Sequence, residues 1–252
     1  MAGNTRTPGT TVTQRIVALL GAFDEHHRRL SLTHLAERAG LAPPTAHRLA
    51  AELVAGGLLE RRGDGTYAVG RRVWDLGLLA AVQTDLRAAA APFLHDIYAA
   101  TLATVHLAVR EGTEVLYVER LSGRASVPII STVGSRLPAH ATGVGKVLLA
   151  HAPPAVVEEV VGAPLRRLTA YTVVQPGTLL HQLAAARRDG YATTVEEVSP
   201  GACSLAVPVR RGSTPDAPVV AALGVVVPSL KRDRPRLLAS LRTAAAGISR
   251  SL

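Results

Sequence analysis

Residues 39–53 read AGLAPPTAHRLAAEL, and the reading of this stretch decides how the first third of the chain folds. A Gly-Leu step, Gly40-Leu41, and two prolines, Pro43 and Pro44, stand directly before a run with helical spacing. Ala46, Leu49, Ala50, Leu53 and Val54 recur at three- and four-residue intervals and define one apolar face. Proline is tolerated in the first helical turn, where its missing N–H had no partner anyway. Pro44, Thr45, His47 and Arg48 then occupy the opening turns, off the apolar face.

Working outward, the preceding SLTHLAERAG has Ser31 as an N-cap and Leu32, Leu35, Ala36 and Ala39 on one face, with Gly40 as the stop. Before it, VTQRIVALLGAF carries apolar residues at 12, 16, 19, 20 and 23, again with helical spacing. After it, Gly56-Gly57 end the third helix, and LLERRGDGTYAVG reads as strands Leu58–Arg62 and Thr66–Val69 joined at Asp64-Gly65. Two helices across a tight glycine turn, followed by a hairpin, have the order of a winged helix-turn-helix. In that arrangement the second helix enters the major groove. Arg48 can donate two hydrogen bonds to guanine, worth about 1–3 kcal/mol of discrimination. Thr45 can meet a phosphate, a base edge or a thymine methyl, and N–H groups at the helix start favour phosphate. Arg61 and Arg62 are placed on the wing, and Gln14 and Arg15 begin the first helix, all within reach of phosphate. Arg71 and Arg72 follow the hairpin. A helical bundle with a solvated arginine face accounts for any one arginine, but not for the turn, helix start and hairpin together.

The chain has 252 residues, 48% of them hydrophobic, which suffices for a sizeable core; aromatic residues are only 3%, so aliphatic packing carries it. The net charge is +9, of which residues 1–80 hold +3 (ten Arg, seven Asp or Glu) and the remainder +6. Charge alone therefore supports a nucleic-acid partner weakly, and the placement of arginines carries the argument. Cys203 is the single cysteine, which excludes an intramolecular disulfide and a cysteine metal cluster and suits a reducing compartment. The opening MAGNTRTPGTT lacks the apolar core of a signal peptide, and VVAALGVVV is too short to span a membrane. The expectation is a cytoplasmic protein without membrane partner, cofactor or metal.

The rest of the chain changes character. RRVWDLGLLAAV is an amphipathic helix from about Arg71 to Val82, and DLRAAAAPFLHDIYAAT another, kinked or broken at Pro92. TVHLAVREGTEVLYVERL gives two strands, SVPIISTV a third, and GSRLPAHATGVGK a glycine-rich loop. Helices are predicted over VGKVLLAHA, PAVVEEVVG, PGTLLHQLAAARRDG and the closing RPRLLASLRTAAAGISRSL, with strands at Ala192–Glu196, Ser204–Val209 and Val219–Val227. This is an α+β domain with a mostly antiparallel sheet. The predicted division is a tail at 1–11, a winged helix-turn-helix domain at 12–72, a linker helix at 73–86, and the α+β domain at 87–252.

Taken in order, LTHLAERAGLAPPTAHRLAAELVAGGLLER, YAVGRRVWDLG, GSRLPAHATGVGKVLLA, LTAYT, ARRDGYATTVEE and GACSLAVPV closely resemble the IclR family of bacterial transcriptional regulators from about Val12 to Leu252. The resemblance implies dimerisation for the linker helix at 73–86 and effector binding for the domain at 87–252, which would be related to the GAF and PAS folds. It implies dimers or tetramers on palindromic or repeated double-stranded operators. Small effectors, often organic acids or aromatic compounds, modulate such repressors and activators.

The same resemblance places an effector between the LPAHATGVGK loop and the sheet. Leu137, Gly143 and Val144 form one wall, and Thr194, Ser204 and Gly224 or Val226 face them. Backbone N–H groups at such a loop suit a carboxylate. Family members that bind small keto acids tend to have an acidic residue at the position of Thr194, cysteine at Ser204 and serines on the last strand. Here Gly224 and Val226 stand on that strand, so a larger or more apolar effector than a two- or three-carbon acid is expected.

Other signals read blandly. Lys146 follows GVG, but Val147 and His140 break the phosphate-loop pattern. Cys203 reads as an inert, partly buried thiol and His140 as a residue that orders its loop. Glu196 and Glu197 alternate faces at a strand end, so they do not make an acid–base pair, and one at least is solvated. No catalytic residue is expected. The alternative class is a small-molecule sensor or enzyme that uses the helix-turn-helix module for protein contacts.

Overall fold

The structure is a computed structural model that describes residues 11–24, 27–79, 84–123, 126–214 and 216–252. The expected tail lies outside these residues apart from Thr11. The chain divides into two compact units, Met1–Val82 and Gln83–Leu252.

In the first unit, α1 (Val12–Leu20) starts with a reciprocal cap between Thr11 and Gln14. The Gln14 side chain accepts from the Thr11 N–H at 2.8 Å, so it is committed to the cap rather than offered to phosphate. Ser31 caps α2 (Leu32–Ala39), and Gly40 ends it at φ +64°, a backbone state that glycine adopts without strain. Leu41 and Ala42 complete the turn into α3 (Pro43–Ala55). Ala46, Leu49, Ala50 and Leu53 of α3 are buried against Leu19, Leu35 and Leu59, as the spacing predicts. The wing consists of β1 (Leu59–Arg61) and β2 (Tyr67–Val69), and a bridge between Leu30 and Tyr67 ties it to the residues before α2. Then comes α4 (Arg71–Leu79). The predicted continuation of this helix through 80–82 lies outside the described residues, as does part of the expected 73–86 linker.

The second unit opens with α5 (Thr84–Thr101), which continues through Pro92 rather than breaking there. Its strands are β3 (Thr104–Glu111), β4 (Glu114–Leu121), β5 (Arg136–Pro138), β6 (Ala192–Val195), β7 (Cys203–Arg210) and β8 (Val219–Val227). They form one antiparallel sheet in the order β5-β4-β3-β8-β7-β6. The helices are α6 (Gly143–Ala150), α7 (Pro154–Gly162), α8 (Pro176–Asp189) and α9 (Arg234–Arg250).

One expectation fails. Residues 126–133, SVPIISTV, form no strand; the short edge strand β5 comes instead from the predicted glycine-rich loop. Pro128 cannot donate to a ladder. The contacts to β4 are made further on, with Gly134 N–H donating to the Tyr117 carbonyl at 2.8 Å.

The strand period of two sorts the sheet's faces. Val105, Leu107, Val109, Leu205, Val207, Leu223 and Val225 point to α5 and α9 and build the larger core. The alternate positions are small or polar: Thr104, His106 and Ala108 on β3, Ser204 and Ala206 on β7, Ala222 and Gly224 on β8. That face receives α6 and α8 through Val144, Val147, Leu149, Leu179 and Leu183. Small residues under α6 leave space there.

Candidate effector cavity and reading helix

Between the start of α6 and the sheet lies a cavity of about 40 Å³. Leu137, Gly143, Val144, Thr194, Ser204, Gly224 and Val226 all line it. The sequence therefore named a set of residues that the fold does bring together.

Thr142 caps α6, its hydroxyl accepting from the Gly145 N–H at 2.9 Å. The N–H groups of Gly143 and Val144, at the first two helical positions, have no partner within their own helix. Gly143 is required by packing: a Cβ there would stand 2.4 Å from Ser204 Oγ. Ser204 Oγ in turn lies 2.6 Å from Thr194 Oγ1, across the β6–β7 pair. At Gly224 a Cβ would meet Val144 Cγ1 at 3.0 Å, so a side chain at this position would press on Val144.

Sequence reasoning missed the polar side chains at the other end. His106, Tyr117 and Ser131 also line the cavity, and all three are buried. His106 Nε2 is 3.1 Å from Ser131 Oγ, and its ring meets Tyr117 edge-on with centroids 4.9 Å apart. Burial, helped by the nearby Arg120 charge, pushes the His106 imidazole down to about 3. Burial likewise raises the Tyr117 phenol, against a hydrogen bond with Thr142. The signal for His106 was present: it interrupts the aliphatic run TVHLAV on the face shared with Thr104 and Ala108. The signal for Ser131 was hidden by the failed strand assignment. Ser199 also lines the cavity, with a buried hydroxyl that has no protein partner.

A second miss is structural. Lys146 and Glu197 form a buried ion pair, Nζ donating to Oε1. Glu197 Oε2 also accepts from the Val173 N–H at 3.2 Å. Burial lowers the Lys146 ammonium and the Glu197 charge opposes that shift. Glu196 is directed elsewhere and accepts from the Gly201 N–H at 2.9 Å. His140 holds the Arg166 carbonyl at 3.0 Å, the loop-ordering contact expected of it. Cys203 is buried, and burial raises its thiol.

In the first unit, Pro44, His47 and Arg48 are exposed on the first turns of α3, and Thr45 is half-buried. Arg48 donates to Glu52 at 2.6 Å, an exposed pair one turn along that is easily exchanged for another partner. Both prolines lie in the first turn, so two of the three leading N–H groups are absent and Thr45 is the first residue that can offer one. Free N–H groups at this helix start are thus fewer than a generic helix supplies. Arg61 and Arg62 are exposed beside the wing tip, which Asp64 shapes by accepting from Thr66 N–H and Oγ1 at 3.0 and 2.6 Å. Those bonds hold the Asp64 carboxyl below its ordinary value. Arg15 is half-buried on α1. Arg72 donates to the Gly56 carbonyl at 3.2 Å and so serves the end of α3. Among the described residues no helix is long and apolar enough to cross a membrane, and no three His, Cys, Asp or Glu side chains group as metal ligands.

One unit with a winged helix-turn-helix and a second, sheet-based unit with an internal cavity are the parts of a ligand-responsive, DNA-binding regulator of transcription. Residues 12–63 match the IclR helix-turn-helix domain and residues 79–250 match the bacterial transcriptional regulator IclR C-terminal domain. The chain belongs to the IclR family of bacterial transcriptional regulators, proteins that bind DNA and are not enzymes. It is 33% identical over 246 residues to the glycerol operon regulatory protein of Streptomyces coelicolor, covering 95% of each chain. It is 31% identical over 198 residues to the transcriptional regulator XynR of Escherichia coli, covering 78% of this chain and 79% of that one. An IclR homolog from Microbacterium hydrocarbonoxydans, solved as a complex with 4-hydroxybenzoate, superposes with a TM-score of 0.88 at 37% identity, over 95% of this chain and 98% of that one.

Proposed function

We propose that the chain is a cytoplasmic regulator that reads an operator with Pro44, Thr45, His47 and Arg48, and phosphate with Arg15, Arg61 and Arg62. Its effector is an aromatic or comparably apolar monocarboxylic acid held in the α6 cavity. The observation that carries the effector reading is the cavity floor: Gly224, Ala206 and Val226 present no charge, while the helix start at Gly143 and Val144 offers N–H groups to a carboxylate. The similarity to a protein complexed with 4-hydroxybenzoate supports the same ligand class.

The active species is an oligomer, a dimer or tetramer, joined through α4. Trp74 is 61% and Leu79 80% exposed on that helix, more apolar surface than an isolated helix keeps in water. Effector binding changes the spacing of two reading helices and hence the fit to two half-sites.

The double variant Thr45→Ala, Arg48→Ala tests the reading helix. Both side chains lie outside the core and the Arg48–Glu52 pair is exposed, so the thermal midpoint stays within about 2 °C while selective operator binding is lost. Unchanged operator binding would overturn the assignment. For the effector, a thermal-shift panel should favour aromatic monocarboxylates over glyoxylate and pyruvate; stabilisation by the small keto acids alone would overturn it.

A further inference from the structure

A second cleft, of about 270 Å³, lies on the α9 side of the sheet and shares no residue with the α6 cavity. Strand β6 pairs with β7 only as far as Ala206, so Val207, Pro208 and Arg210 border the cleft with no strand beyond them. Proline suits that edge because it has no N–H to leave unpaired. The floor is one face of α9. Arg242, Ala245, Ala246, Ser249 and Arg250 follow the i, i+3, i+4, i+7, i+8 spacing. Two arginines thus stand about 12 Å apart along the helix, with small side chains between them, and Arg210 joins them from β7.

These three guanidinium groups line the cleft and no carboxylate does. Among the described residues none of the three forms an ion pair, whereas Arg87, Arg136 and Arg188 of the same unit each have one. Two of them hold neutral carbonyls instead: Arg210 donates to Ala217 at 2.7 Å and Arg242 to Asp189 at 2.8 Å. The Asp189 carboxylate itself is turned to Arg188, at 2.8 and 3.1 Å. Arg242 also lies 5.9 Å from the centroid of the Tyr191 ring. Such contacts orient the arginines and leave their charge uncompensated. The helix dipole accounts for a cation only in the last turn, which includes Arg250 but not Arg242. The positive field reaches an adjoining cleft that shares Arg210. There, burial and then the Arg210 and Arg187 charges hold the His151 imidazole below its ordinary value. Asp216 lines that adjoining cleft, not this one.

We propose that the Arg210–Arg242–Arg250 cleft is a second ligand site, which takes the phosphate of a small phosphorylated metabolite. Arginine presents planar pairs of donors that match phosphate oxygens. Each guanidinium has five N–H groups, and the carbonyl bonds use one apiece in Arg210 and Arg242. Ser213 and Thr214, exposed after Gly212, add hydroxyls at the rim for the rest of the metabolite. The concave shape favours a small molecule over a nucleic-acid duplex.

The test is calorimetric titration of the full-length protein, at fixed ionic strength, with inorganic phosphate, ribose 5-phosphate and ribose. Both phosphates should bind and ribose should not. Arg242→Gln and Arg250→Gln, each at an exposed side chain, should weaken the phosphates about tenfold or more, the worth of a charged hydrogen bond, with the thermal midpoint unchanged. Arg236→Gln removes an equal charge from α9 outside the cleft and should leave phosphate affinity as it was. Equal losses in Arg236→Gln and Arg242→Gln would reduce the binding to diffuse charge and overturn the site. Failure of both phosphates to bind at millimolar concentration would overturn it too. If the two cleft variants then weaken operator DNA instead, the cleft is a nucleic-acid contact. None of these outcomes bears on the effector reading of the α6 cavity.

Discussion

Glu197→Gln should be among the most damaging single substitutions in the second unit. The two side chains of the Lys146–Glu197 pair are 1% and 5% exposed. Glutamine keeps the shape and can still accept from the Val173 N–H, but it leaves the Lys146 ammonium buried without a counter-charge. Removing one partner of a buried pair costs about 3–5 kcal/mol. For a domain the size of this unit, each kcal/mol moves the midpoint by about 2–4 °C, so a fall of about 6–20 °C is expected. Circular dichroism melts measure it. Lys146→Met combined with Glu197→Leu should recover most of the loss, because desolvation of both charges disappears together. The defect should also depend on pH. Loss of Glu197 lowers the folded-state Lys146 value further below 10.5. The unfolded chain then binds more protons over a wider range, so the variant gains stability relative to wild type as pH rises toward 10. Effector binding should be lost as well, since Val198 and Ser199 follow Glu197 into the cavity wall. A midpoint shift under 2 °C, or a double variant no better than the single, would refute the reasoning.

Three further outcomes are expected. Gly143→Ala should cost about 1–3 kcal/mol by overpacking and weaken effector binding in titrations; adding Ser204→Ala, which removes the oxygen 2.4 Å from the new Cβ, should restore part of the stability. His106 is neutral in the folded protein down to about 3 but titrates near 6.5 when unfolded, so its contribution is complete above pH 6.5 and is lost as pH falls toward 3, by at most about 1.4 kcal/mol per unit. Denaturant titrations of His106→Gln should accordingly show a flatter stability profile between pH 6.5 and 4. Trp74→Arg with Leu79→Arg should shift the sedimentation coefficient from oligomer to monomer; an unchanged coefficient would place the subunit contact elsewhere.

The first unit was legible because its signals are local. Caps at Ser31, the left-handed Gly40, the proline start of α3 and the Asp64-Gly65 tip each act within a few residues. Strands β3 and β4 were legible around the Glu111-Gly112 turn, and β8 as the continuous apolar run Val219–Val227. Residues 126–133 misled because Val127, Ile129 and Ile130 have strand-like composition, while the edge pairing was taken up by Tyr117 with Gly134 and Ser135. The seven cavity positions came from motif resemblance, not from periodicity. Nothing local links Lys146 to Glu197, 51 residues apart. His106 and Ser131, 25 residues apart, meet only once β3 is placed in the sheet. Such contacts are products of topology and have no signature in a single sequence.

The most direct measurement is the affinity of the full-length protein for its selected operator, recovered from random DNA, with and without an aromatic monocarboxylate at saturating concentration. The account predicts a palindrome or repeat bound selectively, and at least about a fivefold change in affinity on adding the acid. Binding that depends on salt but not on sequence, or an acid that binds the protein and leaves operator affinity and promoter output unchanged, would contradict it.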